Sequence, residues 1–229
     1  MGSIVPSEDE WAPESVLSGM AYPPVPSSTS PVPFFHLMER LKTTKREGWQ
    51  QASIKDGESI ADHMYRMSII VMLCPPSLAS QVDVSRCVQM ALVHDMAECL
   101  VGDITPLHKG ISKTEKARRE AATMAYITQL LPPTMRVGGT TLMTLFQEYE
   151  ENTSLEAQLV HDIDKVEMVM QTFEYERCHE RDLSEFYHVV GGIRLDEMRE
   201  WAMTIMKERE VLREAASKGP NLQGNGVAS

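Results

Sequence analysis

The chain has 229 residues, of which 42% are hydrophobic and 24% are charged, as in a globular protein with one well-buried domain. Its net charge of −11 argues against binding to a nucleic-acid polymer, because no basic surface is available to release phosphate counterions. The 4 cysteines show no paired spacing, and neither a membrane-spanning run nor a signal sequence is found. We therefore expect a protein of a reducing compartment, in the cytoplasm, without membrane contact.

Both ends of the chain are predicted to be flexible tails. Residues 1–32 are rich in proline, serine and acidic groups, and residues 217–229 are rich in glycine and polar groups. Such segments bury too little apolar surface to offset the entropy lost on ordering. The remaining residues, 33–216, are predicted to form a single domain.

Within that domain the spacing of apolar residues is helical throughout, and no strand alternation or internal repeat is found. Three helix starts carry the spacing of a capping box, and Asp83 can cap a further helix. The capping boxes are Ser59 to Asp62, Ser112 to Glu115 and Thr153 to Glu156. We predict an all-α fold with helices over about 34–41, 59–74, 83–101, 112–131, 141–150, 153–173 and 194–215.

The helix that ends before Gly102 carries polar groups inside an apolar run. Residues 90–100 are apolar nearly all round, which indicates a buried helix, yet they include His94, Asp95 and Glu98. Buried ionised groups are costly unless something compensates for their lost hydration, and a divalent cation would do so. A structural ion pair is the alternative explanation for the dipeptide.

Candidate partners for this dipeptide lie on other predicted helices. His63 lies on the apolar face of its helix, where a hydrogen-bonded core histidine is the alternative. A second His-Asp dipeptide, His161–Asp162, is followed by Asp164. Either aspartate could supply a distant carboxylate ligand, and helical phase alone favours Asp162 weakly.

The order of these groups resembles a known signature. His63, then His94–Asp95, then Asp164 resemble the H…HD…D pattern of the HD-domain metal-dependent phosphohydrolases. More narrowly, residues 33–212 resemble the eukaryotic HD-domain-containing protein 2 group, which is related to bacterial 5′-deoxynucleotidases. The strings that carry the resemblance are Gly48–Trp49, Glu58–Met67, Leu92–Glu98, Gly102–Thr105 and Asp164–Met168.

The resemblance implies a compact HD-domain helical bundle with a metal site between central helices. It assigns the metal ligands to His63, His94, Asp95 and Asp164, against the phase argument for Asp162. Nitrogen and oxygen ligands without thiolate suit Mn²⁺, Co²⁺, Mg²⁺, Fe²⁺, Ni²⁺ or Zn²⁺. A homodimer is also implied.

The resemblance further places Glu98 and Asp103 beside the substrate as catalytic groups. Alternatively, these two carboxylates could hold a second cation together with the Ile104 carbonyl. Arg46 would face the phosphate and Trp49 and Asp103 would contact the substrate. The residues themselves leave other roles open: Arg46 in a solvated helix end, Trp49 in packing and Asp103 as a helix cap.

The predicted function is that of a 5′-deoxynucleotidase, a metal-dependent phosphomonoesterase that converts deoxyribonucleoside 5′-monophosphates to deoxynucleosides and phosphate. The ligand set and the resemblance together imply the reaction class, and the resemblance alone implies the substrate. The alternatives are a phosphodiesterase or triphosphohydrolase of the same superfamily, and a non-catalytic helical interaction protein with a structural metal.

Overall fold

The structure is a computed structural model that describes residues 11–105, 110–179 and 181–217. Within these ranges every regular element is helical, apart from one isolated antiparallel bridge between Lys45 and Ser59. The prediction of an all-α fold is confirmed. The helices are α1 (Pro13–Ser18), α2 (Val32–Thr43), α3 (Glu47–Gln51), α4 (Ile60–Met72), α5 (Pro76–Ala79), α6 (Val84–Val93), α7 (Glu98–Val101), α8 (Lys113–Gln129), α9 (Arg136–Glu151), α10 (Leu155–His179) and α11 (Asp196–Ser217).

The chain divides into two compact units, Met1–Asp164 and Lys165–Ser229, with the boundary inside α10. In the first unit, α4 packs extensively against α6. Met67 of α4 and Met90 of α6 are completely buried. Full burial of a side chain of this size contributes about 1.5–3 kcal/mol to the free energy of unfolding. The packing of α4 against α6 therefore stabilises this unit strongly.

Side-chain caps fix where the central helices begin. The Ser59 hydroxyl accepts a hydrogen bond from the Asp62 N–H at 3.1 Å, and the Asp62 carboxylate accepts one from the Ser59 N–H at 2.8 Å. Asp83 caps α6 by accepting from the Arg86 N–H at 3.0 Å. These two predicted caps are confirmed. The first turn of α10 differs, because Ser154 rather than Thr153 accepts from a first-turn N–H.

The helix predicted to carry the His94–Asp95 dipeptide is not continuous. Helix α6 ends at Val93, residues 94–97 form tight turns, and α7 begins at Glu98. Across the break the N–H groups of Met96 and Glu98 bond to carbonyls three residues back instead of four. This tighter winding turns the chain at the dipeptide, which an apolar periodicity cannot reveal.

Part of the predicted N-terminal tail is ordered. Trp11 and Leu17 are buried, and α1 contacts α7 and α8. A guanidinium N–H of Arg118 donates to the Trp11 carbonyl at 3.0 Å, and the Arg119 guanidinium lies 5.4 Å from the indole centroid. The flexible-tail prediction is therefore wrong for residues 11–18, because contacts distant in sequence compensate for the ordering entropy. Residues 1–10 lie outside the described ranges.

The second unit is organised around a buried ion pair. Arg209 of α11 donates to the Glu176 carboxylate of α10 at 2.6 Å, and the Tyr187 hydroxyl donates to the same carboxylate at 3.0 Å. Tyr187 belongs to a 3-10 segment, Ser184–Gly192, which this network ties to both helices. No helix within the described ranges is long and apolar enough to cross a membrane. The predicted C-terminal tail lies outside those ranges from residue 218 onward.

Candidate metal and substrate site

The four predicted metal ligands come together in the first unit. His63 lies in the first turn of α4, His94 and Asp95 in the turn after α6, and Asp164 on α10. His63 Nε2 is 3.2 Å from Asp164 Oδ1 and 3.9 Å from Asp95 Oδ2. His94 Nε2 is 3.2 Å from Asp95 Oδ2. Two imidazole nitrogens and two carboxylates thus converge on one small region.

The second His-Asp dipeptide has a different environment. His161 Nε2 lies 2.9 Å from the Tyr149 carbonyl, and its ring stacks on the Tyr149 ring at 3.9 Å between centroids. Asp162 is completely buried. Asp164, two residues further on, has a carboxylate oxygen within 4.8 Å of ligand atoms of both His63 and His94. Helical phase favours Asp162, the more deeply buried aspartate. The carboxylate that lies beside His63 and His94 is nevertheless that of Asp164.

The protonation of His94 suits a cation ligand. Its Nδ1 lies 3.0 Å from the Ala91 carbonyl, and a hydrogen bond there places the proton on Nδ1 and the lone pair on Nε2. Nε2 is buried and makes no hydrogen bond to any described residue. An imidazole held by a backbone carbonyl, with its other nitrogen turned toward carboxylates, is a common arrangement of metal ligands. The residues therefore fit a divalent cation.

The charges around these groups are strongly coupled. Burial by itself raises the pKa of Asp95, but the His94 imidazole and the Arg46 guanidinium, 3.1 Å away, hold it well below its usual range. Burial likewise opposes ionisation of Asp164, and the His63 imidazole outweighs it and lowers the pKa. Both carboxylates are therefore ionised at neutral pH, as cation ligands must be.

Glu98 behaves in the opposite way. It is the first residue of α7, its side chain is 2% exposed, and its Oε2 makes no hydrogen bond within the described part of the chain. Burial first, and then the Asp95 and Asp103 carboxylates, raise the pKa of Glu98 well above its ordinary value. Two carboxyl groups three residues apart, Asp95 and Glu98, thus have pKa values shifted in opposite directions. Such a pair is suited to acid–base chemistry.

The segment from Thr44 to Ile60 presents Arg46 to the site. The Arg46 N–H donates to the Glu58 carbonyl at 3.1 Å, and the Trp49 indole N–H donates to the Glu58 carboxylate at 2.9 Å. The Trp49 ring is 3% exposed. These contacts favour a packing role for Trp49. Its indole supports the segment that carries Arg46.

Asp103 links two elements at the edge of the site. Its Oδ2 accepts a hydrogen bond of 2.7 Å from the Glu47 N–H, at the start of α3. Gly102 precedes it with a φ of +77°, a left-handed conformation that ends α7 and redirects the chain. Ile104, whose carbonyl is a predicted ligand of a second cation, is buried. Asp103 thus holds the start of α3, which lies earlier in the chain, and does not cap the helix that follows it.

Two residues outside every sequence motif contact the predicted site. The Tyr149 hydroxyl of α9 donates to Asp164 Oδ2 at 3.5 Å, and its ring lies 4.9 Å from the His94 ring. Lys116 Nζ of α8 lies 4.0 Å from Glu98 Oε1. Neither residue follows a ligand motif, and no local pattern could have identified them.

Comparison with a family model identifies the family. A family model described as HD domain matches residues 38–202 of the chain. The chain belongs to the HD-domain family. All four residues of the predicted metal site lie within the matched range.

Several curated relatives are similar in sequence to this HD-domain chain over most of its length. It is 47% identical over 187 residues to the 5′-deoxynucleotidase hdd1 of Schizosaccharomyces pombe, covering 80% of this chain and 92% of the relative. It is 42% identical over 161 residues to the 5′-deoxynucleotidase HDDC2 of Homo sapiens, covering 69% of this chain and 76% of the relative. Among solved structures, the HD domain-containing protein YGK1 has a TM-score of 0.63 at 29% identity, covering 89% of this chain and 99% of that one.

Proposed function

We propose that this protein is a divalent-metal-dependent 5′-deoxynucleotidase, a phosphomonoesterase that releases phosphate from deoxyribonucleoside 5′-monophosphates. The observation that carries the proposal is the convergence of His63, His94, Asp95 and Asp164 in an HD-domain chain. Relatives at 40–47% identity carry the name 5′-deoxynucleotidase, which supports the substrate class.

The same four residues would hold the cation. The chemistry that a bound divalent cation supplies is the activation of water and the polarisation of the phosphoryl group. Mn²⁺, Co²⁺, Mg²⁺, Fe²⁺, Ni²⁺ and Zn²⁺ all suit a donor set of nitrogen and oxygen, and metal reconstitution distinguishes them. The contact between His94 Nδ1 and the Ala91 carbonyl fixes the ring, so that Nε2 faces the position proposed for the cation.

Glu98 is the proposed proton-transfer group. Because burial and neighbouring carboxylates raise its pKa, the carboxyl retains a proton at higher pH than an exposed glutamate does. It can then give that proton to the leaving 5′-oxygen or orient the attacking water. Arg46 is proposed to bind the phosphate, since its guanidinium is fixed among carboxylates and offers donors in a planar fork. In place of a stacking contact to substrate, Trp49 is proposed to position Arg46, and Asp103 to line the sugar side.

The decisive experiment is a phosphate-release assay on chelated protein reloaded with single metals. The panel comprises dAMP, dCMP, dGMP, dTMP, AMP, a cyclic nucleotide and dGTP, with Glu98→Gln as the variant. We expect release from the deoxyribonucleoside monophosphates, and a loss of at least about 10²-fold in kcat for the variant, the usual scale for a proton-transfer group. Turnover of dGTP or the cyclic nucleotide alone would replace the substrate class. No turnover with any metal would favour the interaction-protein alternative.

A homodimer is proposed as the working form. Tyr65, Ile69 and Met72 of α4 follow one another at helical spacing, and their exposures are 67%, 39% and 62%. An exposed apolar stripe of this kind is typical of an interaction surface. Light scattering on the wild type and on Ile69→Glu tests this, because a dimer built on α4 would dissociate in the variant.

A reducing location is proposed as well. Cys74, Cys87 and Cys99 are buried free thiols and Cys178 is an exposed one. Free cysteines in this number are usual in the cytoplasm, where thiols stay reduced. The four unpaired cysteines therefore support the predicted cytoplasmic location. Fractionation of cells tests it.

A further inference from the structure

The segment that joins α1 to α2 exposes apolar side chains to solvent. Tyr22 is 94% exposed and Val25 is 76% exposed. Both belong to the run Tyr-Pro-Pro-Val-Pro, from Tyr22 to Pro26, and no residue from 19 to 31 carries a charge. Single apolar side chains scattered on a surface need no explanation, whereas a contiguous apolar run is typical of an interaction surface.

The three prolines at positions 23, 24 and 26 restrict the backbone of this run. Each proline ring fixes its own φ at about −65°, and a residue that precedes a proline is confined to extended conformations. Every residue from Tyr22 to Pro26 is subject to at least one of these two restrictions. The structure has no helix, turn or strand over residues 23–27. An extended, proline-rich chain of this kind adopts the polyproline II helix.

Exposure along the run follows the period of that helix. A polyproline II helix has three residues per turn, so residues three apart share a face. Residues 24 and 27 are half-buried, whereas residues 22, 23, 25 and 26 are exposed. Two apolar ridges therefore face the solvent. Tyr22 and Val25 form the first ridge, and Pro23 and Pro26 form the second.

The first unit holds this segment at both ends. On one side, Leu17 of α1 is buried, and the Trp11 carbonyl accepts a hydrogen bond of 3.0 Å from the Arg118 guanidinium. On the other side, Phe34 of α2 is buried. A segment that is fixed at both ends and stiffened by proline loses less conformational entropy on binding than a free tail does.

We propose that residues 22–26 are a docking site for a proline-recognition domain, a protein module with an aromatic-lined groove such as an SH3, WW or EVH1 domain. Grooves of this class bind preformed polyproline II helices. The ridge of Pro23 and Pro26 packs against the aromatic rings of the groove. Tyr22, on the other ridge, adds an aromatic anchor with a polar tip.

The test measures binding of the full-length protein to a panel of purified SH3, WW and EVH1 domains, several of each, by surface plasmon resonance. Tyr22→Ala weakens the first ridge, and the double variant Pro23→Ala/Pro26→Ala removes the second. Val137→Ala is the matched control, because it truncates an apolar side chain on α9 that is 82% exposed. Ser28→Ala is the control within the segment. Thermal unfolding shows that each variant is folded.

We expect at least one domain of the panel to bind the wild type. Tyr22→Ala and Pro23→Ala/Pro26→Ala should each weaken that binding by about 30-fold, the scale of an interface hot spot. Pro24→Ala should weaken it less, because Pro24 lies on the half-buried face. Both controls should bind as the wild type does. Binding by no domain of the panel, or equal binding by the wild type and the two ridge variants, would overturn the proposal.

A second copy of this chain is the other candidate occupant of the segment. Light scattering on the wild type and on Tyr22→Ala distinguishes the two occupants. We expect the same oligomeric state for both proteins. An oligomer that dissociates in Tyr22→Ala would assign the exposed run to contacts between copies and overturn the proposal. Neither measurement depends on nucleotide hydrolysis, so the docking site and the proposed function are tested separately.

Discussion

At the scale of single residues, Tyr149 shows how groups without a motif shape the site. Its ring lies between the His94 and His161 rings, and its hydroxyl reaches Asp164 Oδ2. Burial first, and then the Asp164 and Asp95 carboxylates, raise the pKa of Tyr149, so the hydroxyl stays protonated and acts as a donor. One side chain thereby orients a predicted nitrogen ligand and a predicted oxygen ligand together.

Tyr149→Phe removes the hydroxyl and keeps the ring stack. We expect divalent-ion affinity to fall by about 10-fold, the usual cost of losing a group that orients a metal ligand. The unfolding free energy of the metal-free protein should fall by only about 1 kcal/mol, the net value of one hydrogen bond. Mn²⁺ titration calorimetry measures the first quantity and urea unfolding the second. Tyr22→Phe, at an exposed site before α2, is the control. Unchanged Mn²⁺ affinity in Tyr149→Phe would contradict this role.

At the scale of elements, the positions of the site residues depend on the turns around His94–Asp95 and on the end of α7 more than on helix length. The chain turns tightly at residues 94–97, runs through the single turn of α7, and is redirected at Gly102. Glu98 and Asp103 lie at the two ends of this short element. Their separation therefore depends on the left-handed conformation of one glycine.

Gly102→Ala tests that dependence. Nothing lies within 4 Å of the added Cβ, so the cost is backbone strain at a φ of +77°. We expect a loss of about 1–2 kcal/mol in unfolding free energy, because L-residues avoid this conformation. Gly138→Ala, exposed inside α9 and also free of contacts at the added Cβ, should instead gain about 0.5–1 kcal/mol. Urea unfolding of both variants gives the comparison, and a shift of the same sign in both would refute it.

At the scale of the whole molecule, stability and pH are linked through buried ion pairs. Burial raises the pKa of Glu176, but the hydrogen bonds from Arg209, the Leu183 N–H and Tyr187 outweigh burial and lower it. The folded protein therefore binds a proton at this site less readily than the unfolded chain does. The stabilisation is present above the ordinary glutamate pKa of about 4.3 and is lost as pH falls through the lower folded-state pKa.

Glu176→Gln should remove this contribution. We expect the variant to be less stable than the wild type at pH 7, and the difference to shrink as pH falls from about 5 toward 3. Circular dichroism of urea unfolding across that range provides the measurement. Glu174→Gln, two residues earlier on α10, removes an equal charge and is the control. A difference that stays constant down to pH 3 would show that Glu176 does not act through its charge.

The sequence by itself determined much of this protein. Apolar periodicity and capping residues predicted the all-α fold, and the caps at Ser59 and Asp83 begin α4 and α6 as expected. The order of His63, His94–Asp95 and Asp164 pointed to the HD-domain family. These features are local or depend only on chain order, so neighbouring residues are sufficient to specify them.

Only the tertiary structure decided which side chains meet. Helical phase favoured Asp162, yet Asp164 contacts His63, because phase defines a face of α10 and not the rotation of that helix against α4. Trp11 is buried and Lys116 reaches Glu98 through contacts between segments distant in the chain. Such contacts depend on how tightly the turns wind and how the helices pack, and neither property is encoded in a short stretch of sequence.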